Sequence, residues 1–492
     1  MVLGEVLKGT GAALDTVTAS LEIAGITHDS RRVRPAFAFF ALTGRMADGH
    51  SYAADAMKHG AAACICERRI EGLPLPQVVL PNARRALAFA AANFYGNPQR
   101  RMRLVGVTGP NGKTSTAYML KTIFSHGGYK TALLGTAKGS IGDAAYTPPL
   151  DAAEADEYET MTTPDPEVLY RTLADLAARG VEVTVMEALD KLAPIEFALG
   201  IFTNLSHEHL DFHGSMENYL AAKAKLFDSC RVGLFNADDA AGRELLQNTA
   251  CRAVSYGLTP PCDYLAEEIE SYGVRGSSYL LHTRGARFRV KTQIPGSFTL
   301  YNTLAAAAAA RECGVDLVCI QNALYALRGI AGRLEKVNLG FMGGAFTVFI
   351  DYAHTPFALE NLLRCVRAFR GTGQRIVTLF GCGGARDREK RPEMGRIAVE
   401  NSDFVILTSD NPRAEEPQAI LADILKGVGK ADNYTVIENR REAIEYAVAN
   451  ALAGDIILLV GKGHEQYEID KDGLHPFSET EIVQEAAERY RS

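Results

Sequence analysis

A glycine-rich run in the first third of the chain has the residue types that bind a polyphosphate. It follows the basic-apolar stretch Arg101–Val107 and precedes the helical pattern Tyr118–Phe124, which predicts a strand, a glycine turn and a helix N-terminus. Such a turn directs backbone N–H groups and the helix dipole at one point. Lys113 can reach the outer phosphates and the Thr114 hydroxyl can hold a magnesium ion. The predicted nucleotide ligands are Gly109, Pro110, Asn111, Gly112, Lys113, Thr114 and Ser115.

An ordinary strand–helix turn is the alternative for this run, since position 107 is Val where the usual phosphate-binding pattern has Gly. The sequence Gly-Lys-Thr-Ser after an apolar strand favours the phosphate site.

Two further groups could hold a cation beside a nucleotide. Glu187 ends the apolar strand Val181–Met186, where a carboxylate commonly faces Mg-nucleotide phosphates; taken alone, it could also be a capping or solvated acid. The run Thr203–Gly214 follows a strand and holds three histidines within seven positions, including His209. No cysteine accompanies them, so a histidine that helps to hold a hard cation is favoured over a zinc site.

The elements that position these residues predict an α/β fold. Short apolar runs alternate with helical segments, which is typical of mainly parallel sheets covered on both faces. The chain of 492 residues is too long for one core, and we divide it into an N-terminal domain 1–100, a central domain 101–331 and a C-terminal domain 332–492. The C-terminal strands end in polar or Gly-rich residues, where ligands bind in open α/β sheets; these strands are Thr347–Asp351, Arg375–Phe380, Phe404–Thr408 and Asp455–Val460.

Composition limits the classes of protein to which this chain can belong. Hydrophobic residues make up 47% and charged residues 23%, which is ordinary for a soluble protein. The net charge of −7 argues against nucleic-acid binding, and no apolar run approaches the ~20 residues of a membrane span. No signal-peptide pattern begins the chain, and nine cysteines without regular spacing indicate reduced thiols in a cytoplasm. Cys64 and Cys66, on one face of a predicted strand, are read as buried thiols rather than a metal pair.

The glycine turn, the Thr203–Gly214 run and the helical pattern Met216–Phe227 together resemble the Mur ligase family. The resemblance extends from about Ile26 to Glu481. It implies a three-domain, ATP-dependent amide-bond ligase of peptidoglycan assembly, with a UDP-binding N-terminal domain, a central P-loop-type ATP-binding domain and a Rossmann-like C-terminal domain for the amino acid.

The resemblance also implies roles for residues outside the glycine turn. Ser30, in Asp29-Ser30-Arg31, would contact the UDP-sugar, and Thr162 and Thr163 would contact its peptide portion. Lys223 falls on a position that is carbamylated in the family, where the resulting N6-carboxylysine helps to bind magnesium. The implied magnesium ligands are Thr114, Glu187, His209 and Lys223, and the implied catalytic residues are Lys113, Glu187, His209 and Lys223.

Motifs in the C-terminal domain indicate which amino acid the enzyme would add. Two arginines and a carboxylate at strand ends suit a zwitterion, because Arg binds carboxylate in a bidentate way. In the family, Asp-Asn-Pro-Arg marks diaminopimelate enzymes, and lysine-adding relatives lack that arginine. The implied diaminopimelate ligands are Arg386, Asp410, Asn411, Pro412, Arg413, Gly461 and Glu465, and the implied nucleotide-side contacts are Asn302, Arg333, Asp351 and His354.

One segment departs from the family pattern. Val-Ser-Ser-His-Ala-Leu follows the glutamate in relatives, whereas Glu187 here runs directly into Ala188-Leu189-Asp190-Lys191-Leu192. Six residues, among them a serine and a histidine that contact substrate in relatives, have no counterpart. Either a stretch is missing from the sequence, which we favour, or the protein lacks the loop; Lys191 would then align with a substrate-contacting arginine of the family.

We therefore expect a monomeric cytoplasmic ligase without nucleic-acid or membrane partners. It would use ATP and Mg²⁺ to join diaminopimelate to the D-Glu γ-carboxylate of UDP-N-acetylmuramoyl-L-Ala-D-Glu through an acyl phosphate. A lysine-adding ligase and a non-catalytic nucleotide-binding relative are the alternatives, and the gap after Glu187 is the one feature that favours the latter. A switch GTPase is disfavoured because the chain has no Asn-Lys-x-Asp motif.

Overall fold

The computed structural model describes residues 1–44, 47–135, 139–150, 164–187, 194–205, 215–340 and 345–489. The helices in this part of the chain are Leu3–Val6, Thr16–Ala19, Ala53–Lys58, Ala83–Phe94, Lys113–His126, Pro166–Ala178, Met216–Ala224, Ala240–Asn248, Ser297–Glu312, Leu317–Ala326, Pro356–Phe369, Lys390–Asn401, Pro417–Val428, Arg440–Ala449 and Glu479–Arg489. The strands are Gly25–Thr27, Phe37–Ala41, Ala61–Cys66, Gln77–Val79, Arg103–Thr108, Thr131–Leu134, Ser140–Ile141, Ala144–Ala145, Val183–Glu187, Phe197–Phe202, Cys230–Asn236, Arg252–Gly257, Tyr264–Ser271, Ser277–Thr283, Ala286–Thr292, Glu335–Lys336, Thr347–Asp351, Ile376–Phe380, Phe404–Leu407, Tyr434–Val436, Ile456–Val460, Tyr467–Asp470 and Gly473–Pro476.

The fold is α/β, as the sequence predicts, and its sheets are largely parallel. The N-terminal sheet has four parallel strands in chain order. Alternate residues of the strand Ala61–Cys66 pack in different clusters: Cys64 and Cys66 face one, and Ile65 faces the other. Both cysteines are buried, so they occupy core positions, in agreement with the prediction of buried thiols.

The strand that precedes the glycine turn lies inside the central sheet. Arg103–Thr108 pairs in parallel with Val183–Glu187 on one side and with Phe197–Phe202 on the other. Val107 is in register with Glu187, and Phe202 with Thr108. Because parallel strands place their carboxyl ends at one edge, the glycine turn, Glu187 and the segment after Phe202 lie together.

The C-terminal sheet repeats this arrangement. Ile376–Phe380 pairs in parallel with Ile456–Val460 and with Phe404–Leu407, while Thr347–Asp351 pairs with the far side of Ile456–Val460. These four strands are almost wholly buried, with helices packed on both faces. Their carboxyl ends all lie at one edge, where the sequence predicts an amino-acid site.

The described chain divides into two compact units, 1–265 with 305–320 and 266–304 with 321–492. The division into domains 1–100, 101–331 and 332–492 stays a prediction. No helix of the described residues has both the length and the apolar character needed to cross a membrane. The Ala-rich helix predicted over Leu304–Arg311 begins earlier, at Ser297, directly after Pro295-Gly296, where Gly296 has a positive φ of 104°.

Candidate functional site

The glycine turn has a backbone that suits glycine at two positions. Gly109 has φ 130° and Gly112 has φ 83°, in the region that other residues rarely adopt. A Cβ atom at Gly109 would lie 2.1 Å from Thr203 Oγ1, so any side chain there would displace the neighbouring segment. The helix Lys113–His126 begins directly after Gly112, and its first N–H groups supply the positive end that binds phosphate.

Thr203 and Asn204 hold the turn in place. The Thr203 hydroxyl donates to the Asn111 carbonyl oxygen at 2.7 Å, and Asn204 Nδ2 donates to the same oxygen at 2.9 Å. Both residues directly follow a buried strand, a signal that sequence reasoning used for the neighbouring histidines but not for these two. Lys113 Nζ donates to the Pro110 carbonyl oxygen at 3.0 Å, so the lysine folds back over the turn.

A buried hydroxyl–carboxylate pair lies beside the turn. Thr114 Oγ1 donates to Glu187 Oε1 at 2.8 Å, and both side chains are buried. A Cβ atom at Gly135 would lie 2.6 Å from the same Glu187 oxygen, so Gly135 is required for this placement, and sequence reasoning missed it. Hydroxyl and carboxylate oxygens are the ligand types that Mg²⁺ prefers, so the chemistry of these two residues fits that ion.

The remaining predicted residues of the first unit are partly described. Lys223 lies in the last turn of Met216–Ala224, with Nζ 5.2 Å from the centroid of the Tyr219 ring, and Ser115 lies in the first turn of its helix. Thr162, Thr163, Lys191 and His209 lie outside the described residues. Their roles, and the carbamylation of Lys223, stay predictions.

Ser30 is buried at the start of a short 3-10 turn. Asp29 accepts hydrogen bonds from the backbone and the guanidinium of Arg31, which fixes the turn. His28 Nδ1 lies 2.5 Å from Glu167 Oε1, so the residues before Ser30 are joined to the helix Pro166–Ala178. Sequence reasoning missed this pair because its two members are far apart in the chain.

At the carboxyl edge of the C-terminal sheet, Arg413 is held by backbone contacts. It has a positive φ of 54°, and its N–H donates to the Ile469 carbonyl oxygen at 2.9 Å. Its Nη1 donates to the Gly384 carbonyl oxygen at 2.9 Å. The guanidinium is therefore anchored on the loop that follows the neighbouring strand Ile376–Phe380.

Asn411 and Glu465 form the centre of this edge. Asn411 Nδ2 donates to Glu465 Oε2 at 2.8 Å. Burial raises the pKa of the Glu465 carboxyl, and the hydrogen bond from Asn411 opposes that rise. Asp410 is buried and its carboxylate accepts the Asn411 N–H at 2.7 Å. A Cβ atom at Gly461, whose φ is 118°, would lie 2.5 Å from Asp410 Oδ2, so this position requires glycine.

Arg386 differs from Arg413 in its surroundings. It is exposed, and no hydrogen bond or ion pair joins it to another described residue. A Cβ atom at Gly383 would lie 3.0 Å from Arg413 Nη1 and 3.9 Å from Arg386 Cγ, so both arginines flank that glycine. The structure thus places the two predicted arginines on two neighbouring loops, with the Arg413 guanidinium anchored and Arg386 open to solvent.

Three buried cations beneath this edge were missed by sequence reasoning. Arg391 is fully buried and forms ion pairs with Glu415 and Asp423. Arg440 pairs with Glu479 and donates to the carbonyl oxygens of Ser409 and Val460, at the ends of two strands. Lys462 contacts Asn411 directly. Their sequence signal is weak, because charged residues in helices and loops usually face water.

The predicted nucleotide-side residues of the second unit surround Tyr352. The Arg333 guanidinium lies 5.1 Å from the centroid of the Tyr352 ring, and the His354 ring lies 4.8 Å from it. Asp351 accepts the backbone N–H groups of Leu334 and Ala353, and burial raises its pKa. The structure therefore joins Arg333, Asp351 and His354 in one cluster; Asn302 is buried in the helix Ser297–Glu312.

Comparisons with known proteins agree with this architecture. Three family models match consecutive segments: Mur ligase family, catalytic domain, over residues 22–95; Mur ligase middle domain over residues 107–310; and Mur ligase, glutamate ligase domain, over residues 332–463. Together they cover most of the chain, and the middle-domain match includes the glycine turn and Glu187.

Two curated relatives that match over almost their whole length carry the same name. UDP-N-acetylmuramoyl-L-alanyl-D-glutamate–2,6-diaminopimelate ligase of Clostridium tetani is 38% identical over 99% of both chains, and the ligase of the same name from Syntrophomonas wolfei is 39% identical over 99% of both. A solved structure of a ligase of that name superposes with a TM-score of 0.72 and 30% identity, covering 100% of this chain and 99% of that one. The chain therefore belongs to the Mur ligase family.

Proposed function

We propose that this protein adds meso-2,6-diaminopimelate to the D-Glu γ-carboxylate of UDP-N-acetylmuramoyl-L-Ala-D-Glu, with ATP converted to ADP and phosphate. The name of the two curated relatives and of the solved structure described above supports this reaction. The observation that carries the choice of amino acid is the Asn411-centred edge of the C-terminal sheet. There a carboxylate, Glu465, and an anchored guanidinium, Arg413, lie on either side of one asparagine.

The charges at that edge suit a diamino diacid. The Glu465 carboxylate can pair with an ammonium group, and Arg413 can bind a carboxylate through two parallel hydrogen bonds. Lysine has no second carboxylate, so it would leave this guanidinium without its anion. Arg386, exposed beside Gly383, provides a second guanidinium for the other carboxylate of the substrate.

Activation of the acid is the first chemical step. The γ-carboxylate attacks the γ-phosphorus of ATP and a new O–P bond forms. The bond between the γ-phosphorus and the β,γ-bridging oxygen breaks, so the products are an acyl phosphate and ADP. Two anions must approach each other, so positive charge at the glycine turn offsets their repulsion. The helix N-terminus after Gly112 and the Lys113 ammonium group supply that charge from this chain.

Thr114 and Glu187, together with His209 and carbamylated Lys223, would hold Mg²⁺. When bound, Mg²⁺ supplies further positive charge beside the phosphates. The buried Thr114–Glu187 hydrogen bond orients both oxygens before any ion arrives.

Amide formation is the second step. The diaminopimelate amine attacks the acyl carbon, a C–N bond forms, the C–O bond to phosphate breaks, and the amine loses a proton. Glu465 and Arg413 would orient the amino acid for this attack, which converts an encounter of two solutes into a reaction of positioned groups.

The test supplies purified protein with ATP, Mg²⁺ and the UDP-linked dipeptide, and adds either diaminopimelate or lysine. We expect ADP release and a tripeptide nucleotide, identified by mass spectrometry, with diaminopimelate strongly preferred. Arg413→Ala should remove most of that preference, whereas Lys113→Met should abolish ADP release with either amino acid. Equal use of lysine by the unaltered protein, or absence of product with every amino acid, would refute the proposal.

A further inference from the structure

Lys462 is a fully buried lysine that no step of the proposed reaction uses. It follows the strand Ile456–Val460 and has no solvent exposure. Its Nζ donates to Asn411 Oδ1 at 2.8 Å and to the Tyr467 carbonyl oxygen at 2.9 Å. Burial of an ammonium group is unfavourable unless the group is hydrogen-bonded. A neutral side chain at this position would have a lower free energy of burial.

The contact with Asn411 decides which way its side-chain amide points. Asn411 Oδ1 accepts from both Lys462 Nζ and the Ile469 N–H, at 2.8 and 3.0 Å. These two donors occupy the two lone pairs of that oxygen. A flipped amide would place its NH₂ group against two donors, and its oxygen against the Glu465 carboxylate.

The consequence reaches Glu465. Only the orientation fixed by Lys462 directs Asn411 Nδ2 at Glu465 Oε2, 2.8 Å away. That hydrogen bond leaves the other carboxylate oxygen of Glu465 available for a ligand. A chain of three side chains therefore connects a buried cation to the carboxylate proposed to receive the substrate amine.

We propose that Lys462 is a positioning residue for the amino-acid substrate: it holds the Asn411 amide in one orientation and thereby sets the Glu465 carboxylate that pairs with the substrate ammonium group. This role rests on the function proposed above for the same edge of the sheet.

The kinetic test compares Lys462→Met with the unaltered protein. Met keeps the length and apolar stem of the side chain but removes its donors and charge. We expect KM for diaminopimelate to rise about ten- to a hundred-fold, the range for lost hydrogen bonds to charged groups, with KM for ATP and for the UDP-linked dipeptide changed less than about two-fold. Lys426→Met, at a lysine whose side chain is 68% exposed, is the matched control and should change none of these constants. A uniform loss of kcat with no change in KM for diaminopimelate would overturn the proposal.

Coupling through Asn411 gives a second readout. In an Asn411→Ala background the lysine has no amide to orient. Adding Lys462→Met to that background should therefore raise KM for diaminopimelate by less than about two-fold. Independent, multiplied effects would mean that Lys462 does not act through Asn411. If Lys462→Met does not fold, Lys462→Gln takes its place in this cycle. Gln keeps an NH₂ donor group without the charge, and it should retain more affinity than Met.

Crystal structures of the unaltered protein and the Lys462 variant, both without substrates, separate this role from the proposed reaction. We expect the Asn411 amide to rotate or the Asn411–Glu465 hydrogen bond to break in the variant. An unchanged Asn411–Glu465 pair would overturn the positioning role even if the protein turns over diaminopimelate. Conversely, if the unaltered protein shows no turnover while the Asn411–Glu465 pair is disrupted in the variant, the proposed function alone is refuted.

Discussion

At the scale of residues, the candidate site residues depend on polar pairs that are buried or partly buried. The Thr114 hydroxyl and the Glu187 carboxylate share a hydrogen bond inside the first unit, and Asn411 and Glu465 share one inside the second. A buried polar group without its partner costs about 1–3 kcal/mol, so each pair fixes the position of both members. The glycines around them are as important as the polar residues, because they leave the space that these groups fill.

Gly135→Ala should disturb Glu187 without changing any charge. The added methyl group would lie 2.6 Å from Glu187 Oε1, and overpacking of this kind costs about 1–3 kcal/mol of stability. We expect a lower urea midpoint and at least about ten-fold slower ADP formation, since displacement of a catalytic group has effects of this size. Gly329→Ala is the control, because the nearest atom to its Cβ would be 4.0 Å away. Equal activity of the two variants would contradict the assigned position of Glu187.

Glu465→Gln should change how stability depends on pH. Burial raises the pKa of the Glu465 carboxyl above its ordinary value of 4.5, so the folded protein keeps this proton at pH values where the unfolded chain has lost it. The free energy of unfolding contributed by Glu465 therefore falls as pH rises from 4.5 through the raised pKa. Gln does not ionise, so the variant should gain stability relative to the unaltered protein across that window.

Urea denaturation at a series of pH values between 4 and 8 measures this difference. The exposed Glu416, changed to Gln, serves as the control and should follow the unaltered protein throughout. A Glu465→Gln variant that loses relative stability as pH rises would show that the carboxylate is stabilised, rather than destabilised, by its surroundings.

At the scale of elements, parallel strands and buried cations hold the loops of the second unit. Arg391, near the start of Lys390–Asn401, pairs with Glu415 before the helix Pro417–Val428 and with Asp423 within it. The same Glu415 carboxylate accepts the Ala385 N–H, and the pKa of Glu415 is lowered to about 2, first by its hydrogen bond from Arg391. One buried arginine therefore connects two helices and the loop that carries Arg386.

Arg391→Met should destabilise the protein much more than Lys426→Met, although both cations pair with Asp423. Arg391 is fully buried whereas the Lys426 side chain is 68% exposed. Loss of the buried guanidinium should cost about 2 kcal/mol or more, and loss of the exposed ammonium under about 1 kcal/mol. Urea denaturation at pH 7 measures both values. Similar losses in the two variants would show that burial does not decide the strength of these pairs.

At the scale of the whole molecule, the similarity to Mur ligases extends over almost the entire chain, through three consecutive matches to Mur ligase models and full-length similarity to a diaminopimelate ligase. The net charge of −7 and an ordinary content of hydrophobic residues are typical of a protein that stays in solution. The cytoplasmic location stays a prediction from the sequence.

The monomeric state predicted from the sequence has a direct test. Light scattering coupled to size-exclusion chromatography should give a mass near 53.2 kDa, independent of protein concentration, because like net charges keep copies apart. The same measurement in high salt, where charge is screened, is the control. A mass near twice this value at both salt concentrations would contradict the prediction.

The sequence by itself determined the local elements and the chemistry at their ends. The strand Thr347–Asp351 was predicted with both bounds correct, and the glycine turn, Glu187 as the end of its strand and the buried Cys64 and Cys66 were all readable, because hydrophobic periodicity and glycine placement are local signals. The resemblance to Mur ligases then supplied roles that no local signal contains, such as that of Lys223.

Only the tertiary structure decided which of these ends lie together. Glu187 is beside Thr114 because Val183–Glu187 pairs with Arg103–Thr108 across a long stretch of chain. Lys462 meets Asn411, and His28 meets Glu167, through packing between segments that are likewise far apart in the chain. Strand order and the burial of charged side chains depend on packing between distant segments, and local propensity contains no information about such contacts.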